Sequence, residues 1–134
     1  MNKFNKIFFD TNLLVYLSTN DKEKQEILNR IISESDFTLI SVQTLNEFAA
    51  VCFKKRLLPI AKIREYVNEF NLCFEVADVN FRNISIAFDI KKKYNYAWYD
   101  CLIISTALLN DCTLLYTQDM QHKQVIENPE KNGA

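Results

Sequence analysis

The amino-acid sequence predicts an α/β fold: a mostly parallel central sheet of about four strands with helices on both faces. Three observations carry that prediction. Short apolar runs alternate with longer segments whose apolar residues recur at helical spacing. The runs are continuously apolar, as strands covered on both sides require. The 134 residues include one Gly and two Pro, too few for the tight turns of a hairpin-built β fold.

Each element follows in order. Ile7-Phe8-Phe9 reads as the first strand and ends at Asp10-Thr11-Asn12, a good helix start, after which Leu13, Leu14 and Leu17 recur at helical spacing. The charged segment from Lys22 to Ser33 is amphipathic, with Ile27, Leu28, Ile31 and Ile32 expected on its inner face. Phe37-Thr38-Leu39-Ile40 forms the second strand. Ser41 then caps a helix whose face is Val42, Leu45, Phe48, Ala49 and Cys52, ending near Lys54-Lys55-Arg56. Pro59 fits the start of another helix, with Ile63, Tyr66, Val67 and Phe70 at helical intervals. Cys73 to Val76 reads as the third strand. Phe81 to Lys93 reads as a helix through Ile84, Ala87, Phe88 and Lys91. Asp100 opens a strongly apolar helix that runs to Leu109. Thr113-Leu114-Leu115-Tyr116 is the fourth strand, followed by Thr117-Gln118-Asp119.

A composition of 49% hydrophobic and 25% charged residues fits an ordinary globular protein. No repeat, low-complexity tract or linker interrupts it, so residues 1–134 are expected to form a single domain, with 129–134 as a frayed polar tail. The sole glycine, Gly133, excludes a P-loop and a dinucleotide-binding turn, both of which need glycine where backbone meets phosphate. The sole histidine, His122, excludes H-E-x-x-H and every multi-His zinc site, and no G-x-S-x-G elbow offers it a serine nucleophile. Cysteines 52, 73, 101 and 112 form no C-x-x-C pair. Each sits among apolar residues, as reduced core thiols do, and cytoplasmic localisation is expected. The opening apolar run is broken by Asp10, so neither a signal peptide nor a membrane span fits.

Four carboxylates fall at or just past expected strand ends: Asp10, Glu47, Asp100 and Asp119. In open parallel sheets ligands bind beyond the carboxyl ends of the strands, so these acids converge at one rim if strands one, two and four are neighbours. Like charges brought together repel unless a cation compensates. Oxygen ligands with open positions suit Mg²⁺ or Mn²⁺, ions that activate water and offset charge on a phosphodiester. Each acid also has an ordinary reading when taken singly. Asp10 and Asp100 suit helix N-termini, Glu47 a solvated helix edge, and Asp119 a turn.

The residues also carry a family resemblance. Phe8-Phe9-Asp10-Thr11-Asn12-Leu13-Leu14-Val15-Tyr16 resembles the opening of PIN-domain ribonucleases, and Ile40-Ser41-Val42-Gln43-Thr44-Leu45-Asn46-Glu47-Phe48 is similar to their second motif. Trp98-Tyr99-Asp100-Cys101-Leu102-Ile103-Ile104 is similar to the third, and Leu115-Tyr116-Thr117-Gln118-Asp119-Met120-Gln121-His122 to the fourth. The matches occur in order over nearly the whole chain and are nearest to the VapC-like toxins of bacterial toxin–antitoxin pairs. The resemblance implies a three-layer PIN-like sandwich and an endoribonuclease dependent on Mg²⁺ or Mn²⁺. It further implies a homodimer held inactive by a cognate antitoxin, with no membrane partner. Carried over by position, Asp10, Glu47, Asp100 and Asp119 are the metal-binding and catalytic acids, supported by Thr11 or Asn12 and by Thr117. Two departures stand out: Gln118 replaces a residue often acidic or Asn, and the chain stops soon after Val125-Ile126-Glu127-Asn128-Pro129, where relatives continue into a final edge strand.

The net charge of −1 looks wrong for an RNA-binding protein, but with the four acids set aside the remainder is net basic. Lys54-Lys55-Arg56 and Lys91-Lys92-Lys93 are candidate phosphate contacts beside the rim, and equally ordinary solvated helix ends. Tyr94, Tyr96, Trp98 and Tyr99 offer rings for unpaired bases, or for core packing or a dimer surface. His122 fits a surface position better than a general base, since water activated by a metal needs no histidine. Two rival classes remain: a catalytically silent PIN-like module that binds RNA or an antitoxin, and a Mg²⁺-dependent small-molecule phosphatase. The D-x-D pattern of haloacid-dehalogenase phosphatases requires an acid where this chain has Asn12, and a phosphate-receiver domain requires adjacent acids near the first strand.

Overall fold

The computed structural model describes residues 5–116 and 124–125. In chain order the elements are β1 (Lys6–Phe9), α1 (Thr11–Ser18), α2 (Lys22–Glu34), β2 (Phe37–Ser41), α3 (Val42–Lys54), α4 (Ile60–Cys73), β3 (Glu75–Ala77), α5 (Phe81–Tyr94), α6 (Trp98–Leu109), β4 (Leu114–Tyr116) and β5 (Gln124–Val125). The sheet order is β3-β2-β1-β4-β5. The first four strands pair in parallel, with Phe8 opposite Leu39 on one side and Leu115 on the other. β5 pairs antiparallel with β4. This short strand was not among the four expected from the sequence.

Alternation along the strands assigns the two faces. Ile7, Phe9 and Ile40 enter one core with Leu13 and Leu14 of α1, Leu28 of α2, Phe48 and Cys52 of α3, and Ile63 and Phe70 of α4. Phe8, Leu39 and Leu115 point the opposite way, onto Ile103 and Ala107 of α6. Behind α6, Ala87 and Ile90 of α5 pack on Cys101. The result is three layers, with α1–α4 on one face and the α5–α6 pair on the other.

Local chemistry fixes where the helices begin. Asp10 is the N-cap of α1, accepting a hydrogen bond from Thr11 N at 2.6 Å. Ser41 caps α3 in a reciprocal box with Thr44. Asn80 and Asn83 do the same for α5, and Asn83 also donates to Thr106 Oγ1 of α6 at 2.9 Å. At the end of α5, Asn95 takes a left-handed conformation (φ 55°) that turns the chain back into α6.

Several expectations need correction. Ile27, Val42, Ile84 and Phe88 are exposed, although the helical spacing that placed them is right. An amphipathic stripe fixes a helix's period but not how far it rolls towards its neighbour. The third strand begins two residues later than expected, because α4 runs through to Cys73. α6 starts at Trp98, which puts Asp100 third in the helix rather than at its opening. All four thiols are free, but only Cys52, Cys101 and Cys112 are buried; Cys73 is exposed. Among the described residues no helix is long and apolar enough to cross a membrane.

Candidate active site

β1 is the central strand, and the chain leaves it for β2 on one side while β4 lies on the other. That arrangement opens a crevice at the carboxyl end of β1, where parallel sheets receive ligands. Asp10 stands at this end. Its backbone N donates to Tyr116 O at 3.1 Å, which extends the β1–β4 ladder up to the rim. The same side chain serves two ends at once, capping α1 and facing the crevice.

An open cleft of about 330 Å³ lies there, lined by Asp10, Thr11, Asn12, Glu47, Ala50, Val51, Tyr99, Asp100 and Ile103. Its carboxylates come from three distant segments. Asp10 is at the strand end, Glu47 lies in the second turn of α3, and Asp100 lies in the first turn of α6. At that position the α6 dipole favours the negative charge of Asp100. Glu47 is held from two sides: Thr11 Oγ1 donates to Oε2 at 2.8 Å, and Gln43 Nε2 donates to Oε1 at 2.9 Å. The first bond ties α1 to α3 across 36 positions of sequence.

Of the expected site residues, Asp10, Thr11, Asn12, Glu47 and Asp100 share this cleft. Thr117 and Asp119, and with them His122, lie outside the described residues. Gln43 was not anticipated. Its signal was there: it precedes Glu47 by four residues and so shares its helix face. Among the described residues the buried Gln43 Oε1 atom has no hydrogen-bond partner, so the amide is committed through its nitrogen to Glu47. Lys54, Lys55 and Arg56 are not among the residues that line the cleft, although Ala50 and Val51, about one turn before Lys54 on α3, are. Lys91, Lys92 and Lys93 end α5, and Lys91 Nζ reaches the Tyr96 carbonyl oxygen just before α6.

Among the described residues no three His, Cys, Asp or Glu side chains already form a metal-holding group. Among the described residues the donor set nonetheless suits a hard cation: the cleft wall offers carboxylate oxygens and a hydroxyl, and no sulfur or imidazole. Glu47 is engaged by two neutral donors, the Thr11 hydroxyl and the Gln43 amide.

Fold and rim thus define an α/β protein with an acid-lined cleft at the switch point of its sheet. The chain belongs to the PIN domain family, whose pattern matches residues 7–128. It is 26% identical to "Ribonuclease VapC2" of Methanocaldococcus jannaschii over 133 residues, spanning 90% of this chain and 89% of that protein. Among solved structures, VapC20 of Mycobacterium tuberculosis, described as a Sarcin-Ricin loop cleaving toxin, superimposes with a TM-score of 0.69 at 16% identity, over 87% of this chain and 92% of that one. DNA-bound VapBC from Salmonella typhimurium gives 0.65 at 21% identity, over 88% and 89%. A toxin–antitoxin complex from Klebsiella pneumoniae gives 0.67 at 19%, over 87% and 88%. These likenesses carry the fold.

Proposed function

We propose that this protein is a cytoplasmic endoribonuclease, dependent on Mg²⁺ or Mn²⁺, and the toxin of a toxin–antitoxin pair. The observation that carries the reading is the meeting of Asp10, Glu47 and Asp100 in one cleft of a chain that belongs to the PIN domain family. Similarity to a ribonuclease and to toxin–antitoxin complexes supports the substrate and a cognate antitoxin as partner.

Asp10, Asp100, Glu47 and Asp119 are the metal-binding acids of this proposal, with Thr117 beside Asp119 as a supporting residue. A divalent ion held by these acids would supply Lewis acidity, lowering the pKa of water and offsetting charge on the phosphate. The chain's own residues supply placement. Asp10 offers oxygens from the end of β1 and Asp100 from the first turn of α6, each fixed at a helix start. Thr11 and Gln43 fix the Glu47 carboxylate so that no reorientation is needed when substrate arrives. Asn12 adds a neutral amide to the wall.

A homodimer belongs to the same reading. Phe81, Ile84 and Phe88 lie on one exposed stripe of α5, Phe81 at 81% and Phe88 at 61% exposure, and a second copy would bury that stripe. Sedimentation of the purified chain checks it.

The deciding measurement is single-turnover RNA cleavage with and without Mn²⁺, beside Asp10→Asn and Asp100→Asn. Activity is expected to need the ion and to fall by at least about a hundredfold in either variant, with circular dichroism unchanged. Equal cleavage by parent and variants sinks the assignment. RNA binding with no cleavage under any ion identifies a silent module instead.

A further inference from the structure

The α6 side of the cleft carries more than a carboxylate. Tyr99, immediately before Asp100, lines the cleft and is 64% exposed. Where α5 ends and the chain turns into α6, Tyr94 and Tyr96 stand ring over ring, with centroids 5.3 Å apart and planes 7° from parallel. Both are exposed. Lys91 Nζ donates to the Tyr96 carbonyl oxygen at 2.7 Å and so braces this turn. Lys93 Nζ lies 5.3 Å from the centre of the Tyr94 ring, and Lys92 is exposed beside it.

Tyr99 is left largely to water, while Tyr94 and Tyr96 cover one face of each other and stay partly exposed beside the lysine charges. Exposed rings beside cations are what single-stranded nucleic acid needs: any unpaired base stacks on a ring, and ammonium groups track the phosphates. A duplex gains nothing from the rings, because its bases already stack on one another. We infer that Tyr99, Tyr94 and Tyr96, with Lys92 and Lys93, form a docking platform for the unpaired nucleotides that flank the phosphate entering the cleft. This rests on RNA being the substrate.

The test uses the full chain carrying Asp100→Asn, so that RNA stays intact, and a short labelled RNA strand offered alone or annealed to its complement. Adding Tyr99→Ala is expected to weaken binding of the single strand about tenfold and of the duplex less than about twofold, while Tyr99→Trp restores the single strand. Tyr94→Ala combined with Tyr96→Ala gives a smaller loss in the same direction. Lys92→Gln with Lys93→Gln flattens the salt dependence for both RNAs. Undiminished strand binding by the folded Tyr99→Ala and Tyr94→Ala/Tyr96→Ala chains overturns the platform. So does a shift of the Tyr99→Ala chain to a smaller sedimenting species, which would make the ring part of an interface between copies. The two proposals fail separately. Mn²⁺-dependent cleavage with unchanged binding by Tyr99→Ala keeps the nuclease and loses the platform. Ring-dependent strand binding in a chain that never cleaves keeps the platform and loses the nuclease.

Discussion

On one face of the sheet, Ile7, Phe9 and Ile40 meet four helices and a chain of aromatic rings; on the other, Phe8, Leu39 and Leu115 meet α6, with α5 packed behind it. The first core is deep. Phe48 is fully buried and stands edge-on to Phe70 with centroids 5.2 Å apart, and Phe70 continues to Phe74 at 6.2 Å. Each such pair adds about 0.5–1.5 kcal/mol beyond the area it buries. The second core is thin, with Ile103 and the small Ala107 of α6 and Cys112 meeting Phe8, Leu39 and Leu115 of the sheet. Glu47 belongs to the deep side and Asp100 to the thin side, with Asp10 at the strand end between them. The cleft is therefore a seam, and its geometry depends on two cores of unequal strength.

Substitutions that break one core at a time sharpen this contrast. Phe48→Ala is expected to cost about 3–5 kcal/mol in urea unfolding, the largest effect. Ile103→Ala, one turn below Asp100, falls in the lower part of the about 2–5 kcal/mol range for such truncations. Equal losses would mean that the two faces are equally deep. A smaller effect tests the link between the deep face and the cleft. Thr11→Val removes one of the two donors that hold Glu47 and is expected to lower RNA cleavage about tenfold, in line with a hydrogen bond to a charged group. Thermal stability would stay near that of the parent. A variant that melts early but cleaves normally would make the bond a structural tie only.

The smallest effect near neutral pH separates the faces by titration. Burial, the main cause, pushes the Cys112 thiol on the thin side from 9.0 up to about 12. The unfolded chain therefore releases this proton before the folded chain does. The contribution is fully present below about pH 9, is lost as pH rises from there, and levels off above about 12. Stability of the parent is expected to fall more steeply than that of Cys112→Ala between those limits, measured as the difference in urea midpoints. Parallel curves would place the thiol in water. Cys73, which is exposed, should react with a thiol reagent in the native protein while Cys112 does not.

Much of this was legible in the residues. Ile7-Phe8-Phe9 and Phe37-Thr38-Leu39-Ile40 announce strands by apolar run alone, and Ser41 announces the next helix by its hydroxyl. Asp10, Glu47 and Asp100 could be singled out because each follows such a local signal. The exposure of Ile27, Val42 and Phe88 could not be read, since it depends on how a helix rolls against elements far away in sequence. The Gln43–Glu47–Thr11 arrangement was hidden for a similar reason: the i, i+4 spacing gives half of it, and only the approach of α1 to α3 supplies the rest.

By itself, then, the sequence determined the kinds and order of the elements from β1 to β4, because period, capping and chain stiffness act over a few residues. Tertiary structure alone decided that β1 lies between β2 and β4, that helices split four and two across the sheet, and that acids from three segments meet at one seam. Those outcomes come from burying apolar faces that no single segment can cover, and the partner of each face is chosen only when the whole chain packs.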